Sequence, residues 1–209
     1  MSKETRWTEN FDVSPDKELG LETSIAARFA RLFSMKMVEY DDEKFAKTEN
    51  IDPEALNAYL SARKIWRVRD LGRVSEMSLL LKRVNEREPN WAFAKSANAE
   101  SLLMDDFIVT NYDKAETIAN KALEMDAKQF GALTVLGQVA VNRDWQFAAA
   151  ENYFKQSIEL NPNYASTYNE YAKLLSYQRN FAEAERMAKK DLEIEPFSQL
   201  YHTTLCEIY

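Results

Sequence analysis

One spacing constrains this chain more than any other feature. Tyr112, Phe147 and Phe181 recur at steps of 35 and 34 residues, and Ala115, Ala150 and Ala184 recur at the same two steps. An amphipathic stretch with a similar ending follows each pair: Ala122-Leu123-Glu124-Met125-Asp126, Ser157-Ile158-Glu159-Leu160-Asn161-Pro162 and Asp191-Leu192-Glu193-Ile194-Glu195-Pro196. A unit of this length is a single supersecondary motif that cannot bury its apolar face alone, so copies must stack. The chain has 4 glycines and 5 prolines in 209 residues, about a third of average usage. That is too few turn residues for a sandwich or barrel. Period and composition together predict paired long helices, an all-α fold.

These residues resemble the tetratricopeptide repeat (TPR), a 34-residue unit of two antiparallel helices. The Leu-Gly pair of the family's first helix matches Leu136-Gly137, replaced in the next unit by Tyr171-Ala172. The small residue early in its second helix matches Ala115, Ala150 and Ala184. The aromatic that follows is kept as Phe154, with Ala119 and Ala188 at the equivalent places, and the closing Pro is Pro89, Pro162 and Pro196, with Ala127 between. The resemblance covers roughly residues 90–209 and implies a TPR-like helical-hairpin solenoid. Physically, small residues let paired helices approach closely while aromatics fill the space beside them. Each Pro is expected in the first turn of the next unit, and Asn180 with Glu183 is expected to form a capping box. About four extra residues fall in Met104–Thr110 and one near Asp144-Trp145, where a loop grows at little entropic cost.

The expected organisation is a strand–helix remnant with a linker over residues 1–50, then helical repeats over 51–209. The repeats are placed at about 51–89, 90–127, 128–162 and 163–196, with a half repeat at 197–209. Asp52-Pro53-Glu54 reads as a helix start. A helix over Glu54–Asp70, a turn at Leu71-Gly72-Arg73 and a helix over Ser75–Glu88 would form a divergent first hairpin. Upstream, Ser14-Pro15-Asp16 opens a helix to about Val38 with Leu21, Ile25, Phe29, Leu32 and Phe33 on one face. Residues 40–51 read as an acidic linker. Trp7, Phe11 and Val13 sit at even spacings, a strand signal in a segment that cannot stand as a lone strand.

Trp7 and Phe11, the helix after them, and Ala58-Tyr59-Leu60-Ser61-Ala62-Arg63 leading into repeats resemble the sensory region of CadC-like, membrane-bound winged-helix transcription regulators. There an α/β subdomain passes directly into a helical repeat subdomain. The Gly of the family's Tyr-Leu-x-Gly-Arg segment is Ala62 here. The resemblance implies a non-catalytic, effector-sensing or protein-interaction module on the periplasmic side of an inner membrane. The alternatives are the regulatory tail of an adenylate-cyclase-like enzyme and a free-standing TPR adaptor, which would be cytoplasmic.

The remaining residues offer little chemistry. A single cysteine, Cys206, and a single histidine, His202, exclude an internal disulfide and the multi-Cys or multi-His metal motifs. Lying four apart, they match packing positions of a repeat helix better than a nucleophile and its base. Asp41-Asp42-Glu43 and Asp105-Asp106 lack the alternating ligands and Gly of a calcium loop. Gly131 and Gly137 lie six apart within an expected helix and form no phosphate-binding loop. Arg63, Lys64, Arg67 and Arg69 are expected as exposed charge. No cofactor or metal is expected, and no catalysis. The N-terminal residues predict no signal peptide, and no apolar run in this sequence is long enough to span a bilayer. A formal net charge of −7 disfavours nucleic acid and anionic lipid as partners.

The candidate site is the concave groove that first helices line in a TPR array. Carried over from the family's offsets, it consists of Phe93, Ser96, Glu100, Thr134, Gln138, Asn169, Lys173 and Thr203. Such a lining suits a protein or peptide segment. The family's clamp of Lys, Asn and Arg for C-terminal carboxylates is not present as a set. At the far end, Leu200, Tyr201, Leu205, Ile208 and Tyr209 are more apolar surface than one preceding hairpin would bury. A continuing chain or a second protomer is expected to cover them.

Overall fold

A computed structural model describes residues 51–68, 71–104 and 111–195, together with Thr204. The chain divides into two units, Met1–Asn50 and Ile51–Tyr209, and the described residues all lie in the second. The expected strand and helix before residue 50, the acidic loop at 105–106 and the half repeat with Thr203, His202 and Cys206 lie outside the described residues.

The described residues fold into eight α-helices, with no strand among them: α1 Pro53–Val68, α2 Val74–Arg87, α3 Ala92–Ser101, α4 Tyr112–Met125, α5 Phe130–Asn142, α6 Phe147–Leu160, α7 Ala165–Tyr177 and α8 Phe181–Ile194. A single 3-10 turn, Leu71–Arg73, leads into α2. Consecutive helices pair as antiparallel hairpins, and each hairpin stacks on the next. The architecture is the all-α helical-hairpin solenoid of tetratricopeptide repeats. None of the described helices is long and apolar enough to cross a membrane.

The local causes are visible at the helix ends. Asp52 accepts the N–H of Glu54 through Oδ1 at 2.9 Å, and Pro53 takes the first helical position, where no N–H is needed. At the tips of the third and fourth hairpins, Trp145 and Arg179 adopt positive φ of 57° and 60°. These left-handed residues turn the chain sharply, so that Asn180 N–H reaches Leu175 O at 2.9 Å and Gln146 N–H reaches Ala140 O at 2.8 Å. The second closure is one residue longer than the first, which is where the extra residue near Asp144-Trp145 is absorbed.

Two local expectations are corrected. Pro89 and Pro162 each stand three residues before a helix begins, at Ala92 and Ala165. They lie in the connecting turn and not in the first helical turn. Asn180 makes no side-chain capping bond, and Glu183 pairs instead with Arg186.

Burial separates the helices into two layers. The second helices bury a single stripe each: Ala115, Ala119 and Ala122 on α4, Ala150, Phe154 and Ser157 on α6, and Ala184, Ala188 and Asp191 on α8. That i, i+4, i+7 pattern is one face of an amphipathic helix. Of the first helices, α3, α5 and α7 are buried on most sides, and α5 has no exposed residue from Gly131 to Gly137, whereas α1 keeps an exposed side with Asn57, Leu60, Ser61 and Lys64. At the α5–α6 crossing, a Cβ on Gly137 would lie 2.3 Å from the ring of Phe154, which is itself fully buried. Glycine is required there because the aromatic takes the space.

Candidate functional site

The first helices α3, α5 and α7 pack on one another in sequence, with α1 against α3, while the second helices lie outside them. The inner face of the solenoid is therefore built from α1, α3, α5 and α7.

Burial by neighbours on both sides decides which of the expected groove residues remain reachable. Thr134 and Asn169 are fully buried and Ser96 and Glu100 nearly so, so none of these four lines an open groove. Thr134 Oγ1 lies 2.6 Å from Thr167 Oγ1 and 3.0 Å from Ser157 Oγ, and those two are 2.9 Å apart. Phe130 O lies within reach of the Thr134 and Ser157 hydroxyls at 3.1 and 2.9 Å, so three hydroxyl protons are shared among these contacts. This closed hydroxyl triangle joins α5, α6 and α7 and is structural. Asn169 donates through Nδ2 to Glu170 at 3.0 Å, while its Oδ1 has no partner. Gln138, Lys173 and Phe93 keep partial exposure, and Lys173 pairs with Glu170 at 3.0 Å.

Glu100 has a different role from the one its position suggested. Its Oε2 accepts from Arg63 at 2.8 Å and its Oε1 accepts from the Tyr164 hydroxyl at 2.6 Å. The Arg63 guanidinium sits 5.9 Å from the ring centroids of both Trp66 and Tyr164, within cation–π range. Burial works against the charge on Arg63, but Tyr164 and Glu100 outweigh it and hold the guanidinium well above its ordinary pKa. Of the four basic residues read as exposed, Lys64 is exposed, but Arg63 turns inward onto this carboxylate. Sequence reasoning missed Arg63 and Tyr164 as inner-face residues.

Beside this cluster runs a row of rings. Phe93 on α3 meets Phe130 on α5 edge-on at 6.0 Å between centroids, and Phe130 meets Tyr164, at the entry to α7, at 4.9 Å. Phe93 and Phe130 are only partly buried. Tyr59 and Trp91 form a further pair at 4.6 Å. No group of His, Cys, Asp or Glu among the described residues is arranged to hold a metal ion. The arrangement offers surface and hydrogen bonds for recognition.

Comparison with known proteins bears on the class. The tetratricopeptide repeat family model matches residues 153–186, from within α6 to within α8. A thermophilic TPR protein of Thermus thermophilus is similar in structure, with a TM-score of 0.59 at 18% identity over 74% of this chain and 81% of that one. MamA of Desulfovibrio magneticus RS-1 aligns with a TM-score of 0.47 at 18% identity, covering 76% of this chain and 85% of its own. The first TPR of Spaghetti (RPAP3), bound to the HSP90 peptide SRMEEVD, aligns with a TM-score of 0.46 at 20% identity over 56% and 89%. No match was found among curated proteins. The chain carries a tetratricopeptide repeat, and its described hairpins have the fold of a TPR solenoid.

Proposed function

We propose that this chain is a non-catalytic protein-interaction module whose inner face takes an extended segment of another protein. The observation that supports this is the row Phe93, Phe130 and Tyr164, which crosses three successive hairpins at ring-to-ring distances of 6.0 and 4.9 Å. A segment running along the first helices would meet the partly exposed rings of Phe93 and Phe130, backed by the buried Tyr164, with the partly exposed Gln138 and Lys173 on the same helices. Arg63 and Lys173 are each neutralised by an acidic neighbour, so binding relies on apolar contact and hydrogen bonds. Such binding depends only weakly on salt.

Peptides selected against the protein from a random library, then titrated at two ionic strengths, test this reading. Phe130→Ala and Phe93→Ala should each weaken binding at least tenfold. Lys155→Ala on the outer helix α6 should leave it unchanged, and going from 50 to 500 mM salt should shift affinity less than about threefold. Selected peptides indifferent to both phenylalanines would refute the assignment.

The finer reading makes this module the sensory region of a CadC-like regulator. Its support lies in the sequence, in Trp7, Phe11 and Ala58–Arg63, of which the last segment forms part of α1. A winged-helix domain encoded in the same gene would support it. A cyclase domain there would favour the enzyme-tail alternative.

A further inference from the structure

In a solenoid each hairpin ordinarily touches only its nearest neighbours, so stability is a sum of local terms. One cluster on the inner face departs from that rule. Glu100, almost fully enclosed on α3, holds Arg63 from α1 and the hydroxyl of Tyr164 from the entry to α7. The third hairpin contributes by omission: a Cβ on Gly131 would lie 2.3 Å from Glu100 Oε1 and 2.5 Å from Ser96 Oγ. Four hairpins thus meet at one carboxylate. Arg63 also stacks on Tyr164, 101 positions away in sequence. A buried ion pair is a poor source of net stability, because desolvation offsets the attraction. Its consequence is geometric, since two charge-assisted bonds on one carboxylate fix the separation of the groups that make them.

We propose that Arg63, Glu100 and Tyr164 form a tie that couples the first hairpin to the fourth and sets the curvature of the inner face, with Gly131 as the seat that admits it. All four are positioning residues, and the inference is independent of what the face binds. Releasing the tie relaxes the array and uncouples its ends while every hairpin stays folded.

Hydrogen exchange and small-angle scattering on the full chain test it, using Tyr164→Phe and Glu100→Gln as near-isosteric variants. The tie predicts amide exchange in α1 at least tenfold faster in both variants, unchanged exchange in α6, and a longer maximum dimension at retained helix content. A double-mutant cycle supplies a second measurement. Gly131→Ala should weaken the fold more with Glu100 present than in a Glu100→Ala background, because the added methyl group meets both the carboxylate and Ser96 Oγ in the first case and only Ser96 Oγ in the second. Unchanged α1 exchange with an unchanged scattering profile, or additivity in the cycle, would overturn the proposal.

Discussion

At the scale of single residues, two polar positions show how a repeat tolerates what its neighbours do not. Asp191 and Asn169 stand one repeat after Ser157 and Thr134, at steps of 34 and 35 residues. The earlier pair is satisfied within a hydroxyl triangle. Both carboxylate oxygens of Asp191 and the amide oxygen of Asn169 are buried without a partner. Burial pushes the Asp191 carboxyl up to about 8, with Glu195 and Glu170 raising it further and the nearby Leu192 backbone N–H and Lys173 opposing. The folded protein therefore keeps a proton that the unfolded chain gives up near its ordinary pKa of 3.8. Its contribution to stability is fully present below about pH 4, declines as pH rises towards 8, and levels off above, with a limiting slope of about 1.4 kcal/mol per pH unit. Urea midpoints between pH 5 and 9 should show that decline, and Asp191→Asn should flatten it and be the more stable protein at pH 9. A slope unchanged in the variant would assign the dependence to other groups.

At the scale of elements, the hairpins solve one packing problem with different residues. Gly137 opposes Phe154 across α5 and α6. At the same register the second hairpin has Ala99 and Ala119, and the fourth has Ala172 and Ala188, all fully buried. Of these three hairpins, only the third sets a glycine against an aromatic at this register. Gly137→Ala should therefore destabilise: overpacking costs about 1–3 kcal/mol, against a helix-propensity gain of about 1 kcal/mol, and the enclosed ring has nowhere to go. Adding Phe154→Leu should make the double variant less unstable than the two single losses together, as read from urea midpoints. Simple additivity would mean that the two positions do not share the space.

At the scale of the molecule, the inner face and its ties arise from stacking, while the net charge of −7 belongs to the whole chain. A chain of that charge should repel a polyanion at a distance. No duplex DNA binding is expected in a fluorescence-anisotropy titration at physiological salt. Micromolar affinity that falls steeply with added salt would contradict this.

The sequence by itself determined the paired helices. The 34- and 35-residue steps and the small residues at Ala115, Ala150 and Ala184 state a local rule that each hairpin obeys within its own length. Burial at those positions follows from the hairpin alone, and all three alanines are fully enclosed. The inner face was legible only in part. Thr134, Asn169 and Glu100 occupy the expected helices, yet they are enclosed because a first helix is covered by the hairpins before and after it. Arg63 reads as surface charge in its own helix and becomes the partner of Glu100, 37 positions on, only once the chain between them has folded. Tyr164 stands in the turn before α7, and only stacking brings its hydroxyl to the same carboxylate, 64 positions away. Periodicity records contacts made within a repeat or between neighbours. Contacts that bridge several repeats leave no period, so only the tertiary structure decided them.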